Sequence, residues 1–461
     1  LLQRRLIVGA KGFLVFSSLF FYSWWNIVYL PLILTSMLFN YIIGNSLNSN
    51  FKKVNLHKKS LLAFGILSNI ALLAYFKYAD FFLTNLNSLS ESNFDLLHLA
   101  LPLAISFFTF QQVAYLVDSY RQETAEYDFL NYALFVTFFP QLIAGPIVHH
   151  KEMMPQFANK YNLVKNYRNI ATGLFIFSIG LFKKVVIADK FAIWATNGFD
   201  TAETLNLLEA WATSLSYTFQ LYFDFSGYTD MAIGAALLFN IKLPQNFNSP
   251  YKAKDIQDFW RRWHITLSRF LRDYIYIPLG GSRVKEYRVL SNLMITFLIG
   301  GLWHGAGWTF IFWGFLHGSA LVIHRVWKSF GFTMNSILAW FITFNFINIT
   351  WVFFRAKEWD DAVKVLNGMF GGFGVMLPKS MSYFSSEYIV ITNNWLANIY
   401  AENYIVLYII LAIIAILTLP NSHELKNKLI FSYLNALLFI SILIISFLNL
   451  GGVHEFLYFN F

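Results

Sequence analysis

The sequence predicts an all-α integral membrane protein built as a multi-helix bundle. Of its 461 residues, 57% are hydrophobic and only 13% are charged, whereas a soluble domain carries about 25% charged residues. Because a helix needs about 20 apolar residues to cross the bilayer, we expect about 9–12 membrane helices, with further re-entrant and interfacial helices. The runs without Asp, Glu, Lys or Arg on which this rests are 12–51, 60–76, 96–117, 129–150, 289–324, 335–354, 403–423 and 429–454.

The organisation of the chain predicts one membrane domain over residues 1–461, since no segment repeats at a fixed period. The first residues, "LLQRR", look like the end of an upstream helix rather than a signal peptide, so we expect that part of an N-terminal helix is missing. The chain has no cysteine, which excludes disulfides, cysteine-ligated metals and thiol catalysis. Polar segments typical of loops or interfacial helices separate the apolar runs at 48–60, 118–128, 151–168, 196–206, 242–288, 325–334 and 355–402.

The net charge of +9 is concentrated beside the apolar runs, which argues against a nucleic acid partner. Residues 251–290 contain nine basic and four acidic side chains. Because the cytoplasmic loops of membrane proteins carry an excess of Lys and Arg, we expect segment 242–288 to be a basic cytoplasmic loop. Its charge would attract an anionic cosubstrate or the anionic headgroups of membrane lipids.

Within this loop, "DFWRRWHITLSRFLRDYIYIPLGGSR" has the periodicity of one amphipathic helix. At 100° per residue, one face is apolar and the opposite face is basic. Such a helix is typical of an interfacial anchor whose arginines contact lipid phosphates, or of a helix that packs on the membrane bundle. His264 falls at the border of the apolar face, where a polar side chain needs a partner or a chemical task. The apolar face comprises Phe259, Trp260, Trp263, Leu267, Phe270, Leu271 and Tyr274, and the basic face Arg261, Arg262, Arg269 and Arg272.

Two histidines and several glycines lie in the uncharged run 289–324, which contains "GGLWHGAGWTFIFWGFLHG". An ionisable side chain in an apolar run indicates function unless it pairs with a neighbouring group such as a backbone carbonyl. On a continuous helix His304 and His317 would lie about 20 Å apart in height and about 140° apart in direction, and could share a site only if the helix breaks. We therefore expect His304 to be functional and His317 to support it. The glycines around His304 would make room for a thioester or an acyl group, or allow close helix packing.

Asp224 and Asp230 lie in the apolar segment "LYFDFSGYTDMAIGAALLF". Because buried carboxylates are costly, each is expected to line a cavity or to pair with a base such as an arginine of the following loop. Their spacing of six residues places them about 120° apart on a continuous helix, which is not the arrangement of a carboxylate dyad. No residue pattern predicts a bound metal, a phosphate-binding glycine loop or a dinucleotide site.

Five motifs together resemble the membrane-bound O-acyltransferases, and within them the bacterial branch that O-acetylates cell-envelope polysaccharides. The resemblance extends from "FLVFSSLFFYSWW" to the terminal "EFLYFNF" and so covers nearly the whole chain. It implies a helical bundle around a tunnel that crosses the membrane. The motifs are "FPQLIAGPI", "YFDFSGYTDMAIG", "FWRRWHITLSRFLRDYIYIPLGGSR", "GGLWHGAGWTFIFWGFLHG" and "NITWVFFRA".

The resemblance also implies roles for individual residues. His304 stands at the position of the family's central histidine, and His264 at a second polar position of the site. We expect His304 to be the general base toward an acceptor hydroxyl, with His264 orienting it or sharing the proton. The predicted tunnel or substrate-lining residues are Trp303, Asp224, Asp230 and Trp260. The residues predicted to bind the donor or the interface are Arg261, Arg262, Arg269 and Arg272.

The implied reaction transfers an acetyl group from cytoplasmic acetyl-CoA, a substrate rather than a bound cofactor, to a periplasmic acceptor or partner. The implied partner is a periplasmic acetyltransferase of the SGNH-hydrolase type, and the implied location is the bacterial inner membrane. The abundance of Asn, Lys, Ile and Phe, expected of an AT-rich genome, favours peptidoglycan as the final acceptor. The alternatives are alginate or another exopolysaccharide, D-alanyl transfer to teichoic acid, and, without catalysis, transport of a glycan or an acyl carrier.

Overall fold

The structure is a computed structural model, and it confirms the all-α fold class. It describes residues 7–48, 57–124, 128–143, 145–384, 389–430, 432–451 and 457. The opening "LLQRR", on which the expected loss of an N-terminal helix rests, lies outside the described residues, as does "EFLYFNF" apart from Leu457.

The described residues form helices connected by short irregular or π-helical segments. Two short strands, β1 (Val375–Pro378) and β2 (Ile389–Thr392), pair in parallel with Val375 opposite Ile389. They lie in segment 355–402, for which the sequence predicted only loops or interfacial helices. The helices are α1 (Ile7–Trp25), α2 (Leu30–Asn48), α3 (Lys58–Leu73), α4 (Ala79–Ser90), α5 (Ile105–Tyr120), α6 (Phe129–Thr137), α7 (Phe139–Leu142), α8 (His150–Ala158), α9 (Tyr167–Phe182), α10 (Asp189–Thr196), α11 (Leu207–Leu238), α12 (Ile256–Arg262), α13 (Ile265–Leu271), α14 (Glu286–His304), α15 (Trp308–Ser329), α16 (Ser336–Arg355), α17 (Trp359–Met369), α18 (Tyr404–Thr418), α19 (Ser422–Lys428) and α20 (Tyr433–Leu448).

Several helical segments are long and apolar enough to cross a membrane. By length and composition, four qualify within the described residues, and a fifth is added if α18 and α19, bent by 55°, form one broken span. This is fewer than the 9–12 that the sequence predicted. Run 289–324 is divided between α14 and α15, and neither helix is among the segments that qualify. The four segments are Ile27–Asn48, Lys58–Ser90, Tyr167–Thr201 and Ser336–Arg355.

The chain forms two compact units. The first comprises residues 1–177, 229–244 and 458–461, and the second comprises residues 178–228 and 245–457. His264, His304 and His317 all belong to the second unit. This division does not test the prediction of one membrane domain, which stays a prediction.

In the first unit, α2, α3 and α5 pack around a buried polar cluster. The side-chain amides of Asn40 and Asn69 exchange hydrogen bonds of 3.1 and 2.7 Å. Asn40 also donates to the side-chain oxygen of Gln112, and all three residues are buried. Because buried amides need partners, this pairing allows three apolar helices to carry polar residues where they meet.

In the second unit, side-chain caps define where several helices begin. Asp255 accepts a hydrogen bond of 2.7 Å from the backbone N–H of Asp258 and so begins α12. Asn335 accepts one of 2.9 Å from Ile337 N–H at the start of α16. These oxygens satisfy backbone donors that have no partner within the helix, which fixes the start of each helix.

Candidate active site

The segment that carries His304 and His317 is a helical hairpin. Helix α14 ends at His304, Gly305 and Gly307 are extended with φ of −162° and −165°, and α15 begins at Trp308. The two histidines therefore do not lie on one continuous helix, and the separation that such a helix would impose does not apply. Because the helix breaks between them, the two histidines can belong to one cluster.

The glycines of the hairpin allow the two helix backbones to touch. A Cβ atom on Gly301 would lie 2.4 Å from the carbonyl oxygen of Phe310, and one on Gly314 would lie 2.4 Å from that of Phe297. A Cβ on Gly305 would lie 2.2 Å from the ring of Phe310. The space beside Gly301 and Gly305 is thus occupied by α15, so the expectation that these glycines make room for an acyl group is wrong. They serve close helix packing, the other alternative.

His304 lies at the end of α14 with its imidazole enclosed by aromatic rings. The side chain is buried, with 3% exposed. Its ring centroid is 4.9 Å from that of Trp303, 5.1 Å from Trp313 and 5.0 Å from Phe354, each in an edge-to-face arrangement. Aromatic packing of this kind fixes the orientation of a ring in addition to excluding water.

The segment predicted as one amphipathic helix is instead two helices, because the backbone leaves the helical conformation at two successive residues. Trp263 is extended (φ −98°, ψ 130°) and His264 adopts the left-handed conformation (φ 42°, ψ 53°). The left-handed conformation costs a residue other than glycine roughly 1–2 kcal/mol. The predicted apolar face is nevertheless buried, apart from the half-buried Tyr274.

This break turns His264 into the interior, where it is completely buried. Its Nδ1 lies 3.1 Å from Oδ1 of Asn246, and its ring packs edge-on against Phe225 at 4.8 Å. Its Nε2 has no hydrogen-bond partner within the described residues. His264 lies outside the candidate membrane spans, and burial lowers its pKa to about 3. The imidazole is therefore neutral at physiological pH.

Trp303 joins the two predicted catalytic histidines. Its ring centroid lies 6.4 Å from that of His264 and 4.9 Å from that of His304. The structure thus brings His264, which precedes α13, together with Trp303 and His304 at the end of α14. Whether the two histidines act in catalysis stays a prediction. The cluster is buried and excludes water, a setting that suits a general base.

His317 belongs to the same aromatic cluster but is fully hydrogen-bonded. Its Nδ1 accepts a hydrogen bond of 3.1 Å from the indole N–H of Trp260, and its Nε2 lies 3.1 Å from the hydroxyl of Thr350. The ring of Trp313 lies 4.6 Å from His317 and 5.1 Å from His304. His317 is therefore one ring away from His304, and both of its ring nitrogens are already used.

Asp224 and Asp230 are both buried in α11, and Asp224 forms an ion pair. Nζ of Lys184 lies 2.8 Å from Oδ1 of Asp224 and 2.6 Å from Oδ1 of Asp189. Of the two alternatives for Asp224, the structure contains the ion pair. Its base is a lysine earlier in the chain rather than an arginine of the following loop. A tunnel-lining role of either aspartate stays a prediction.

A cavity of about 630 Å³ opens beside the histidine cluster, with a wall that includes Trp260. Its basic lining comprises Arg261, Arg272, Arg325 and Lys328. Two of the four predicted donor-binding arginines thus line one cavity. Arg262 and Arg269 do not line the cavity. Arg262 instead donates a hydrogen bond of 2.9 Å from Nε to Oδ1 of Asp258.

Two of the basic groups in this cavity are neutralised by carboxylates. Arg272 donates to both carboxylate oxygens of Asp273, at 2.7 and 3.1 Å. Arg325 donates to both carboxylate oxygens of Glu286, and this hydrogen bonding lowers the pKa of Glu286. Arg261 and Lys328 have no ion-pair partner within the part of the chain that the structure describes. The cavity therefore offers positive charge to an anionic ligand.

Comparison with known proteins identifies the family. The model of MBOAT, the membrane-bound O-acyltransferase family, matches residues 15–357, a range that includes all three histidines of the cluster. The chain belongs to the membrane-bound O-acyltransferase family. It is accordingly a membrane protein and an acyltransferase.

Three relatives from the comparison are named for different reactions, which differ in the acyl group transferred or in the polymer that receives it. The chain is 54% identical to the peptidoglycan O-acetyltransferase of Helicobacter pylori, over 98% of this chain and 91% of that protein. It is 40% identical to the probable alginate O-acetylase AlgI of Pseudomonas aeruginosa, over 77% of this chain and 69% of that protein. It is 27% identical to the teichoic acid D-alanyltransferase of Bacillus subtilis, over 55% and 69% of the two chains.

The site of this membrane-bound O-acyltransferase includes residues that the sequence did not reveal. Asn246 binds His264, Trp313 joins His304 to His317, and Lys328 completes the basic cavity. Asn246 and Lys328 belong to no local pattern that indicates chemistry. Trp313 lies within the motif "GGLWHGAGWTFIFWGFLHG", and only its contacts with both histidines reveal its place. Within the described residues, no group of three or more His, Cys, Asp or Glu side chains is arranged to hold a metal ion.

Proposed function

We propose that this protein is a peptidoglycan O-acetyltransferase of the bacterial inner membrane that uses cytoplasmic acetyl-CoA as its donor. The observation that carries the proposal is the buried cluster in which Trp303 contacts both His264 and His304. Such a cluster supplies a neutral His264 imidazole beside His304 in a site that excludes water, which suits acyl transfer to a hydroxyl. The near full-length similarity to the peptidoglycan O-acetyltransferase of Helicobacter pylori supports the choice of glycan.

In the proposed reaction, His304 removes the proton from an acceptor hydroxyl while His264 orients the group or shares the proton. The hydroxyl oxygen attacks the carbonyl carbon of the acetyl thioester, and the carbon–sulfur bond breaks. The CoA thiolate takes up the proton held by the imidazolium, so the products are an acetyl ester and the free thiol. General-base assistance contributes about 10²–10⁴-fold to such a rate, and positioning of the two reactants must supply much of the remainder.

The basic cavity is the proposed entry for the donor. Acetyl-CoA carries phosphates at one end and the acetyl thioester at the other. Arg261 and Lys328 offer positive charge to the phosphates at the cavity. Trp260, which forms part of its wall, packs 5.8 Å from Trp313, and Trp313 packs 5.1 Å from His304. Two ring contacts thus connect the cavity with the histidine cluster. In the proposal, the acetyl group extends from the cavity toward His304 through the expected tunnel.

The acceptor side of the proposal requires a second protein. A periplasmic acetyltransferase of the SGNH-hydrolase type would receive the acetyl group on a hydroxyl and deliver it to the glycan. This division of labour explains how a cytoplasmic thioester could modify a polymer outside the membrane. Alginate acetylation and D-alanyl transfer are less favoured, because the relatives named for them are 40% and 27% identical and cover less of this chain.

The test is transfer of label from radiolabelled acetyl-CoA by the purified protein in vesicles, with the periplasmic partner and glycan supplied on the far side. We expect labelled glycan and release of free CoA thiol in equal amounts. Movement of unmodified glycan or of an acyl carrier across the vesicle without thioester cleavage would instead establish a transporter. Absence of label under conditions in which glycan does become acetylated would refute acetyl-CoA as the donor.

A further inference from the structure

Asn246 makes the contacts that decide which nitrogen of His264 carries the proton. It lies in the irregular segment before α12, and both residues are completely buried. Its side-chain oxygen Oδ1 lies 3.2 Å from the backbone nitrogen of Thr266, 2.8 Å from the Thr266 hydroxyl and 3.1 Å from Nδ1 of His264. One amide oxygen therefore faces three polar atoms, two from Thr266 and one from the imidazole.

The backbone of α13 fixes the orientation of this amide. A backbone N–H can only donate a hydrogen bond, so the Asn246 atom that faces Thr266 N must be the oxygen rather than the NH₂ group. The same oxygen faces Nδ1 of His264, and an oxygen can only accept. Nδ1 must therefore be the protonated nitrogen. Because a neutral imidazole carries one proton, Nε2 is left with a free lone pair.

A second set of contacts holds His264 in the conformation that this arrangement needs. The backbone oxygen of Asn246 accepts a hydrogen bond of 2.9 Å from Ile265 N–H, the residue that follows His264. Asn246 thus binds the two residues that follow His264 in the chain, Ile265 and Thr266, as well as the imidazole itself. His264 keeps its left-handed backbone conformation (φ 42°, ψ 53°) at this point, and such a conformation persists where its surroundings determine it.

We propose that Asn246 is a positioning residue that fixes His264 as the Nδ1-protonated tautomer and so presents Nε2 as a proton acceptor in the histidine cluster. Nε2 has no hydrogen-bond partner within the described residues and is completely buried, which leaves it available to a hydroxyl of the substrate or to a proton shared with His304. This role rests on the proposed function for its catalytic consequence, but the tautomer itself does not.

The test combines a spectroscopic signature with activity in the full-length protein. In protein labelled with ¹⁵N in histidine, we expect a protonated Nδ1 and an unprotonated Nε2 for the signal that disappears in His264→Gln. The signature should persist in Asn246→Asp, whose carboxylate accepts from the same donors. In Asn246→Leu, which has no acceptor, we expect a mixture of tautomers.

In the acetyl-transfer assay, we expect Asn246→Leu to lower kcat about 10–100-fold with little change in KM for acetyl-CoA, since loss of a group that orients a functional histidine has effects of this order or larger. Asn246→Asp should restore most of the rate. Asn248→Leu is the matched control, because Asn248 lies in the same segment and pairs with Asn421 rather than with a histidine. It should leave both the tautomer and kcat unchanged.

Three results would overturn the assignment. These are an Nε2-protonated His264 in the wild-type protein, an unchanged His264 signal in Asn246→Leu, or equal loss of activity in Asn246→Leu and Asn248→Leu. If the spectra follow the expectation while the wild-type protein transfers no acetyl group, the proposed function fails and the tautomer assignment stands.

Discussion

His264 and His317 are both completely buried and each has Nδ1 in a hydrogen bond of 3.1 Å, but the two bonds run in opposite directions. His264 donates from Nδ1 to Asn246. His317 accepts at Nδ1 from the N–H of Trp260, so its own proton is on Nε2, where Thr350 accepts it. The two imidazoles are therefore opposite tautomers, assigned by neighbours that can act in only one way.

His317 is a structural residue that holds its neighbours in place, whereas His264 has a ring nitrogen that a substrate could reach. Both nitrogens of His317 are used to hold Trp260 and Thr350, whereas Nε2 of His264 has no partner among the described residues. A buried polar atom without a partner is costly unless a ligand or a reactant provides one. The comparison predicts that substitutions of His317 mainly lower stability and that substitutions of His264 mainly lower the rate.

The largest effect is expected for His304→Ala, which removes the proposed general base. We expect acetyl transfer to fall about 10²–10⁴-fold, the range attributed to general-base assistance. Initial rates with radiolabelled acetyl-CoA would measure it, at matched protein level and thermal stability. His423→Ala, at an exposed histidine of the same unit, is the control. Full activity of His304→Ala would remove His304 from the chemistry.

A smaller but still large loss is expected for His264→Ala, because the variant removes an orienting or proton-sharing group and retains His304. A reduction of roughly 10²-fold, less complete than that of His304→Ala, is the expected outcome. The same assay measures it, with the double variant as a further sample. Because the two histidines share Trp303, their effects should not add in the double variant. An unchanged rate would exclude His264 from the site.

His317→Ala should act mainly on stability. The substitution leaves the buried indole N–H of Trp260 without an acceptor, which costs about 1–3 kcal/mol. The hydroxyl of Thr350 keeps its hydrogen bond of 2.8 Å to the backbone oxygen of Ile347. Thermal unfolding in detergent would record the loss, and the rate per folded molecule should fall less than about tenfold. A variant of normal stability that has lost all activity would contradict this structural role and place His317 in the chemistry.

The smallest effects are expected at the rim of the cavity. Arg261→Ala and Lys328→Ala should each raise KM for acetyl-CoA about two- to fivefold and leave kcat unchanged, because an exposed charge pair contributes about 0.2–1 kcal/mol. The effect should shrink as salt screens the charges. Arg283→Ala, an exposed arginine that does not line the cavity, is the matched control. If all three variants had the same KM for acetyl-CoA, the cavity would not be the binding site of the donor.

Local patterns predicted the fold class and the buried face of the basic segment, because burial follows the spacing of apolar residues. They did not predict the break at Trp263 and His264, since the apolar period continues across it in sequence. They also left open whether the glycines of the hairpin serve a ligand or a helix. That answer depends on which atoms lie opposite, and those atoms belong to Phe310 and Phe297.

The candidate site was predictable only in part, and for a similar reason. Trp303 contacts both His264 and His304, and the roles that the resemblance implied for the two histidines stay predictions. Asn246 and Lys184 were not predicted, because each acquires its role from a partner 18 or more residues away, as with the Asn246–His264 pair. The side chain of Asn246 carries no charge and no unusual neighbour in sequence, so only the path of the chain reveals that it faces an imidazole.

The direct contact between the backbones of α14 and α15 has a mechanical consequence. With the carbonyl oxygens of Phe310 and Phe297 seated where side chains would be on Gly301 and Gly314, the two helices cannot slide past one another without collision. The hairpin therefore behaves as one stiff piece that holds His304 in place. Any movement that admits a reactant has to come from the side chains and segments that face it.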